Sequence, residues 1–218
     1  MLENLTALQS LAWVAYLGLM LSLFKNAPLR QLLHDKHSQH LIFGSAACLF
    51  VLWLFRAGIY DGLSVHFLWL SALTLVLGLR RALLSSFLAL AGITLVGKES
   101  WSMFGVNGLL GISLPLALAY LIYNLSFHKL PRHVFIYIFL CAFIPGAMLI
   151  TLKMFLMGGY FVLDGIHSWD VVVDNYLLLI PLMLFPEAML NGMTITLLII
   201  YCPTWVYTFY DKYYIKDK

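Results

Sequence analysis

Apolar runs separated by short polar segments make up most of the chain. Seven of these runs approach or exceed the length of about 20 residues that a helix needs to cross a bilayer. The third and fourth are short and are separated by Arg80 and Arg81, which we interpret as a hinge. We predict one all-α transmembrane domain over residues 1–218. Its seven helices are predicted at 5–24, 41–55, 63–79, 82–96, 101–125, 134–160 and 176–201.

The composition is typical of a membrane protein and excludes a soluble globular enzyme. Hydrophobic residues make up 62% of the chain and charged residues only 11%, whereas soluble domains carry about 25% charged residues. The three cysteines each lie within an apolar run, so no disulfide framework is expected. The net charge of +3 is too small to indicate a nucleic-acid partner, and the predicted surroundings are the lipid bilayer.

The distribution of basic residues predicts the orientation of the chain. Ten of the thirteen Lys and Arg residues lie in the segments 25–40, 80–81, 126–133 and 211–218. A seven-helix arrangement places all four segments on the same side of the membrane, which the positive-inside rule identifies as the cytoplasmic side. We therefore predict a multi-pass protein of the bacterial inner membrane, with its N-terminus outside and its C-terminus in the cytoplasm.

Two ionisable residues fall inside predicted helices, where a charge is costly and indicates a structural or functional role. Glu187 lies in the seventh helix with Asn191 one turn further on, and Lys153 lies towards the outer end of the sixth. Because both charges are predicted at a similar depth, one interpretation is a Lys153–Glu187 ion pair that joins two helices. The alternative is that Lys153 extends outward and leaves Glu187 in the bundle interior.

His66 is the first candidate for metal chemistry. It opens the third predicted helix on the outer side, after Asp61 in the preceding turn, and His167 lies in the acidic outer loop. Imidazole together with carboxylate suits nickel, cobalt or zinc, so these three residues are the candidate metal ligands. The alternative is that His66 is an ordinary packed and hydrogen-bonded histidine.

Motifs for catalysis or nucleotide hydrolysis are absent from the sequence. It contains no Walker A loop, no Gly-x-Ser-x-Gly, no His-Glu-x-x-His and no Cys-x-x-Cys. We predict that the chain is not an enzyme and holds no permanently bound cofactor. Any ATP hydrolysis coupled to its function would belong to a partner.

Three sequence features occur in an order that resembles a known family. They are Gly62-Leu63-Ser64-Val65-His66-Phe67-Leu68 entering a helix that ends at Leu77-Gly78, the Gly-rich fifth span, and Pro186-Glu187-Ala188 followed by Asn191-Gly192. Over roughly residues 44–201 the chain resembles the CbiM-type membrane subunits of energy-coupling factor ABC transporters. The resemblance implies that cobalt or nickel is captured outside the cell and passed inward with a transmembrane coupling protein and two ATPases. It also implies that His66 is a ligand of the transported metal.

The amino terminus departs from the family pattern. Cobalt and nickel members begin Met-His-Ile and use the terminal amine and first histidine as ligands, whereas this chain begins Met1-Leu2-Glu3-Asn4. Either another side chain completes a different site, or this branch has abandoned nickel and cobalt. The candidates for a replacement ligand are Glu3, Asn4, Asp61 and His167.

Two functions follow from these observations. The first is a substrate-capture subunit of an energy-coupling factor importer for a divalent transition metal. The alternative is a membrane-embedded assembly or scaffold protein, for example in metalloenzyme biogenesis, with no transported substrate.

Overall fold

The computed structural model describes residues 5–25, 35–60, 62–210 and 214. Helices account for most of these residues, and the described part of the chain contains no β-strand. An isolated antiparallel bridge joins Ala57 to Val65 in the irregular segment before the third helix. The prediction of an all-α fold is confirmed.

Five segments of the described chain are long and apolar enough to cross a membrane. The helices are α1 (Ala7–Lys25), α2 (Lys36–Leu54), α3 (Leu70–Leu95), α4 (Trp101–Lys129), α5 (Val134–Leu163), α6 (Trp169–Asn175) and α7 (Ile180–Tyr201). The five long apolar segments are α2, α3, α4, α5 and the stretch Trp169–Tyr201 that contains α6 and α7, whereas α1 is a shorter apolar helix.

The second helix begins five residues earlier than the apolar pattern predicts. Asp35 precedes the helix, and its side chain accepts hydrogen bonds from the backbone N–H of Ser38, at 3.2 Å, and from the Ser38 hydroxyl. A carboxylate in this position satisfies an N–H group that has no partner in the first turn. The same hydrogen bonds hold the pKa of Asp35 below its usual value.

The third and fourth predicted spans differ most from the structure. Residues 63–69 are not helical, α3 covers Leu70–Leu95, and its helical geometry is interrupted at Gly78 with φ 72° and ψ 165°. The predicted helix boundaries at 63–79 and 82–96 and the hinge at the arginine pair are therefore wrong. The break occurs at Gly78 because glycine, which has no Cβ, adopts a positive φ at little cost.

The contacts of α3 change direction at this break. His66, before the break, stacks on Trp53 near the end of α2. After the break, the Ser85 hydroxyl donates to the carbonyl of Ile42, near the start of α2, at 3.1 Å. Gly92 then lies against the ring of Phe50, further along α2. The chain therefore runs antiparallel to α2 before Gly78 and parallel to it afterwards.

Two other helices carry a wide turn just before a proline. In α4 a π-helical stretch, Asn107–Ser113, precedes Pro115, and in α5 a similar stretch, Ile138–Phe143, precedes Pro145. Proline has no N–H to donate, and its ring collides with the carbonyl four residues earlier. Widening the preceding turn relieves that collision while the helix continues, so both segments remain single long helices.

The contacts define two ends of the bundle. At the end that we call the N-terminal end, Thr6 donates to Asp164 at 2.9 Å, and Arg56 pairs with Glu99. At the opposite end, the backbone N–H of Tyr207 donates to the carbonyl of Val76 at 3.1 Å. The candidate site lies between these ends and nearer the first.

Candidate functional site

A small cavity, about 30 Å³ in volume, opens near the N-terminal end of the bundle. Space of this size holds about one or two water molecules or a single ion. Its walls come from the end of α2, from the irregular segment that precedes α3, from Leu90 of α3, from α4 and α5, and from Tyr176 between α6 and α7. The polar side chains that line it are Arg56, Ser64, His66, Glu99, Asn107, Lys153 and Tyr176.

His66 lies in this cavity because the chain between Gly62 and Trp69 enters the bundle in an irregular conformation. Its side chain is buried, and its ring stacks on the Trp53 indole with centroids 5.7 Å apart. The ammonium of Lys153 lies 2.9 Å from Nε2 and 3.3 Å from Nδ1 of the same ring. The imidazole is therefore covered by an aromatic ring and faced by a cation.

Lys153 takes neither of its two predicted positions. It is 7% exposed, so it does not extend outward to the membrane surface. Its ammonium contacts His66, and no salt bridge joins it to Glu187, although both residues lie in the described part of the chain. The predicted Lys153–Glu187 ion pair is wrong because the carboxylate and the ammonium each have a different partner.

Glu187 binds the backbone at the start of α3. Its two carboxylate oxygens accept the N–H groups of Leu68, at 2.9 Å, and Trp69, at 2.8 Å. Asn191 donates to the same carboxylate at 2.8 Å, and its oxygen accepts the N–H of Ala72, also at 2.8 Å. The N–H groups at a helix start have no partners within the helix, and a carboxylate is the preferred acceptor there.

This contact also holds a strained residue. Trp69 has a φ of 57°, a left-handed conformation that non-glycine residues rarely adopt. Its indole N–H donates to the Thr194 hydroxyl at 2.9 Å. Glu187, Asn191 and Thr194 therefore lie on successive turns of α7 and together fix the chain three residues after His66.

A second polar group closes the N-terminal side of the cavity. Arg56 pairs with one oxygen of Glu99, and the Asn107 amide donates to the other oxygen at 2.9 Å. The sequence did not single out Arg56, Glu99 or Asn107 as site residues. No local signal could have joined them, because Arg56 and Glu99 are 43 residues apart.

Of the other two predicted metal ligands, only His167 lies in the described part of the chain, and it does not line the cavity. Asp61 lies outside the described residues. The His167 ring packs on Tyr60, at 5.9 Å, and on Phe161, at 5.6 Å, so it lies beside the turn that precedes Asp61. Among the residues that the structure describes, no group of three or more His, Cys, Asp and Glu side chains is arranged to hold a metal ion. The three-residue metal site stays a prediction.

Comparison with known protein families identifies the family to which the chain belongs. A family model described as CbiM, cobalt uptake substrate-specific transmembrane region, matches residues 5–205. The chain belongs to the CbiM family. No curated protein and no solved structure matched it.

Membership in the CbiM family makes the chain a multi-pass membrane component of cobalt uptake, in agreement with its apolar helices. CbiM proteins form a family of transport components rather than an enzyme family, and they work with other transport subunits in the membrane. The alternative of a scaffold without a transported substrate is not favoured by this membership. The resemblance predicted from the segment around His66 and from the Glu187 motif is confirmed.

Proposed function

We propose that this chain is the substrate-capture subunit of an energy-coupling factor importer for a divalent transition metal, cobalt or nickel in type. The observation that carries the proposal is a buried imidazole, His66, lining a small cavity near one end of a CbiM-family bundle. Imidazole binds these metals well, and a cavity of this size admits a single ion with little remaining water.

The chemistry of the wall supports capture of a metal ion rather than a larger solute. His66 supplies a nitrogen, and Met157, Asn107 and Tyr176 supply a thioether and oxygen atoms around the same space. We include Asp61 and His167 as outer ligands, because the ring of His167 lies beside Tyr60, next to Asp61 in sequence. The proposed route runs past these two residues to His66.

We propose that the chain crosses the membrane seven times, with the N-terminal end outside. The change of direction at Gly78 supports one pass before this residue and one pass after it. The pass before Gly78 is helical only from Leu70. The N-terminal end carries the acidic residues Glu99 and Asp164. Among the described residues, Arg81, Lys129 and Arg132 lie at the other end, and the positive-inside rule assigns a basic end to the cytoplasm.

Energy for transport would come from partner subunits. The sequence has no nucleotide-binding loop of the Walker A type. The resemblance to CbiM-type subunits implies a transmembrane coupling protein and two ABC ATPases, and these are the proposed partners.

Uptake of radioactive cobalt and nickel tests this function. Cells that express the chain together with the coupling protein and ATPases should accumulate the metal, and cells that lack the ATPases should not. His66→Ala should reduce uptake at least tenfold, because it removes the nitrogen ligand. His37→Ala changes an exposed histidine at the start of α2 and should leave uptake unchanged. Equal uptake with and without the chain would contradict the proposal, as would full uptake by the His66 variant.

A further inference from the structure

We propose that the ammonium of Lys153 is a tethered cation that occupies the cargo position beside His66, so that it must swing away before a metal ion reaches the imidazole. This inference rests on the proposed function and deepens it, because it makes Lys153 a determinant of how tightly the site binds its cargo.

The ammonium of Lys153 lies beside the ring nitrogens of His66 that a metal ion would bind. It lies within hydrogen-bonding distance of both ring nitrogens of His66, at 2.9 and 3.3 Å. The Trp53 ring stacks on a face of the imidazole. A metal ion that approaches His66 from the cavity therefore needs the space that Lys153 fills.

The charges around the cavity also oppose simultaneous binding of Lys153 and a metal ion at His66. Among the residues that the structure describes, two cationic side chains, Arg56 and Lys153, line the cavity against one carboxylate, Glu99. Both oxygens of that carboxylate are already bound by Arg56 and Asn107. A divalent ion added beside a buried ammonium would meet strong repulsion, since little water is present to screen it. Lys153 and a metal ion are therefore alternative occupants of the same place.

The Lys153 stem also borders a small unfilled space next to α4. Gly111 faces it from α4, and a Cβ added at Gly111 would still lie 3.8 Å from Lys153 Cε and 3.9 Å from the Met157 sulfur. The stem is a flexible four-carbon chain that can carry its charge several ångströms away. The proposed movement is therefore one of the Lys153 side chain.

Metal binding by the purified full-length protein in detergent tests the inference. Titration calorimetry with cobalt chloride should give Lys153→Met a dissociation constant at least about tenfold below that of the wild type, because the competing charge is gone and the stem length is kept. Lys153→Gln, which retains a hydrogen-bonding group, should also bind more tightly than the wild type. Lys153→Arg keeps the charge and should not. Adding His66→Ala to Lys153→Met should remove the gain.

A measurement on the wild-type protein avoids reliance on variants. Acylation of Lys153 by an amine-reactive ester, followed by peptide mass spectrometry, should increase when cobalt chloride is present, because the metal displaces the amine into the open part of the cavity. Lys153 acylation that cobalt leaves unchanged or decreases would overturn the inference.

The outcomes separate this inference from the proposed function. Equal cobalt affinity in the wild type and Lys153→Met, with uptake in cells intact, would overturn the tethered cation and leave the importer standing. Weaker binding by Lys153→Met would show that the amine is itself a metal ligand, which also overturns the inference. Tighter binding by Lys153→Met without any metal uptake in cells would support the tethered cation and contradict the importer. Absence of binding in every protein would contradict both.

Discussion

Glu187 shows how a single carboxylate is accommodated inside an apolar bundle. Its side chain is 1% exposed, and burial of a charge is costly unless hydrogen bonds replace the lost water. Three donors surround it: the backbone N–H groups of Leu68 and Trp69 and the amide of Asn191. Two of these donors belong to the segment that carries His66, so Glu187 positions the cavity wall without contacting the cavity.

Replacing Glu187 by glutamine should destabilise the protein. The amide keeps one accepting oxygen but directs an NH₂ group at a backbone N–H, which leaves a buried donor without an acceptor. We expect a loss of about 2 kcal/mol in the free energy of unfolding. Thermal unfolding of the detergent-solubilised protein measures it.

Asp170→Asn is the matched control for this substitution. It makes the same acid-to-amide change at an exposed residue of α6 and should leave the unfolding temperature unchanged. A Glu187→Gln protein as stable as the wild type would show that the carboxylate is not the acceptor that holds the start of α3.

Three residues of this region could be predicted from the sequence, but their contacts could not. Glu187 and Lys153 could be identified from the sequence because a charged side chain inside an apolar helix is costly. His66 could be identified because it follows a turn with an acidic residue at the start of the third predicted helix. The partner of Glu187 could not be predicted, because it is backbone, and backbone N–H groups leave no signature in side-chain type. The nearest charge of opposite sign was the natural expectation, and it was wrong.

At the scale of elements, the approach of α1 to α4 depends on small residues. A Cβ on Gly105 would lie 2.5 Å from the backbone nitrogen of Trp13, and one on Gly108 would lie 2.3 Å from the Tyr16 ring. Close approach through glycine is a common way to pack helices in membranes, where water supplies no driving force between them. Close packing at these two glycines therefore brings α1 against the N-terminal part of α4.

Gly105→Ala should weaken this packing. The added methyl group meets backbone atoms of Trp13, which cannot rotate away, so the helices have to separate. We expect a loss of about 2 kcal/mol in the free energy of unfolding, measured in detergent by thermal unfolding.

Gly18→Ala provides the comparison, because a Cβ at Gly18 has no neighbouring atom within 4 Å. Alanine is the better helix former, so this variant should be as stable as the wild type or slightly more stable. If the two variants behave alike, the contact between α1 and α4 is not what the structure indicates.

The helices also show which of their positions the sequence could predict. Apolar runs located the five described segments that are long and apolar enough to cross a membrane, since length and hydropathy are strong signals. They could not reveal that residues 63–69 are irregular, because a buried non-helical segment is as apolar as a buried helix. The start of α2 was placed too late because Asp35 and Ser38, polar residues in a polar segment, form the cap.

At the scale of the whole molecule, the two ends of the bundle differ in charge. Arg81 follows the turn at Gly78 and lies over the ring of Tyr207, 5.5 Å from its centroid. Lys129 ends α4, and Arg132 lies in the connection to α5. These cations gather at the end opposite Thr6, as expected for a bundle whose N-terminal end faces away from the cytoplasm.

Reporter fusions test this orientation. A reporter joined after Lys218 should be active only in the cytoplasm, and one inserted near Ser168, between α5 and α6, should be active only outside. Activity of both reporters on one side would contradict the seven-pass arrangement. The reverse pattern would place the His66 cavity on the cytoplasmic side and exclude capture from outside.

The central claim is that a transition metal binds at His66, and diffraction from crystals of the full chain grown with cobalt chloride tests it most directly. Data collected at the cobalt absorption edge should show an anomalous peak inside the cavity, about 2.1 Å from a ring nitrogen of His66, the usual bond length between a metal and a histidine nitrogen. A peak bound elsewhere, with the cavity still filled by Lys153, would contradict the claim.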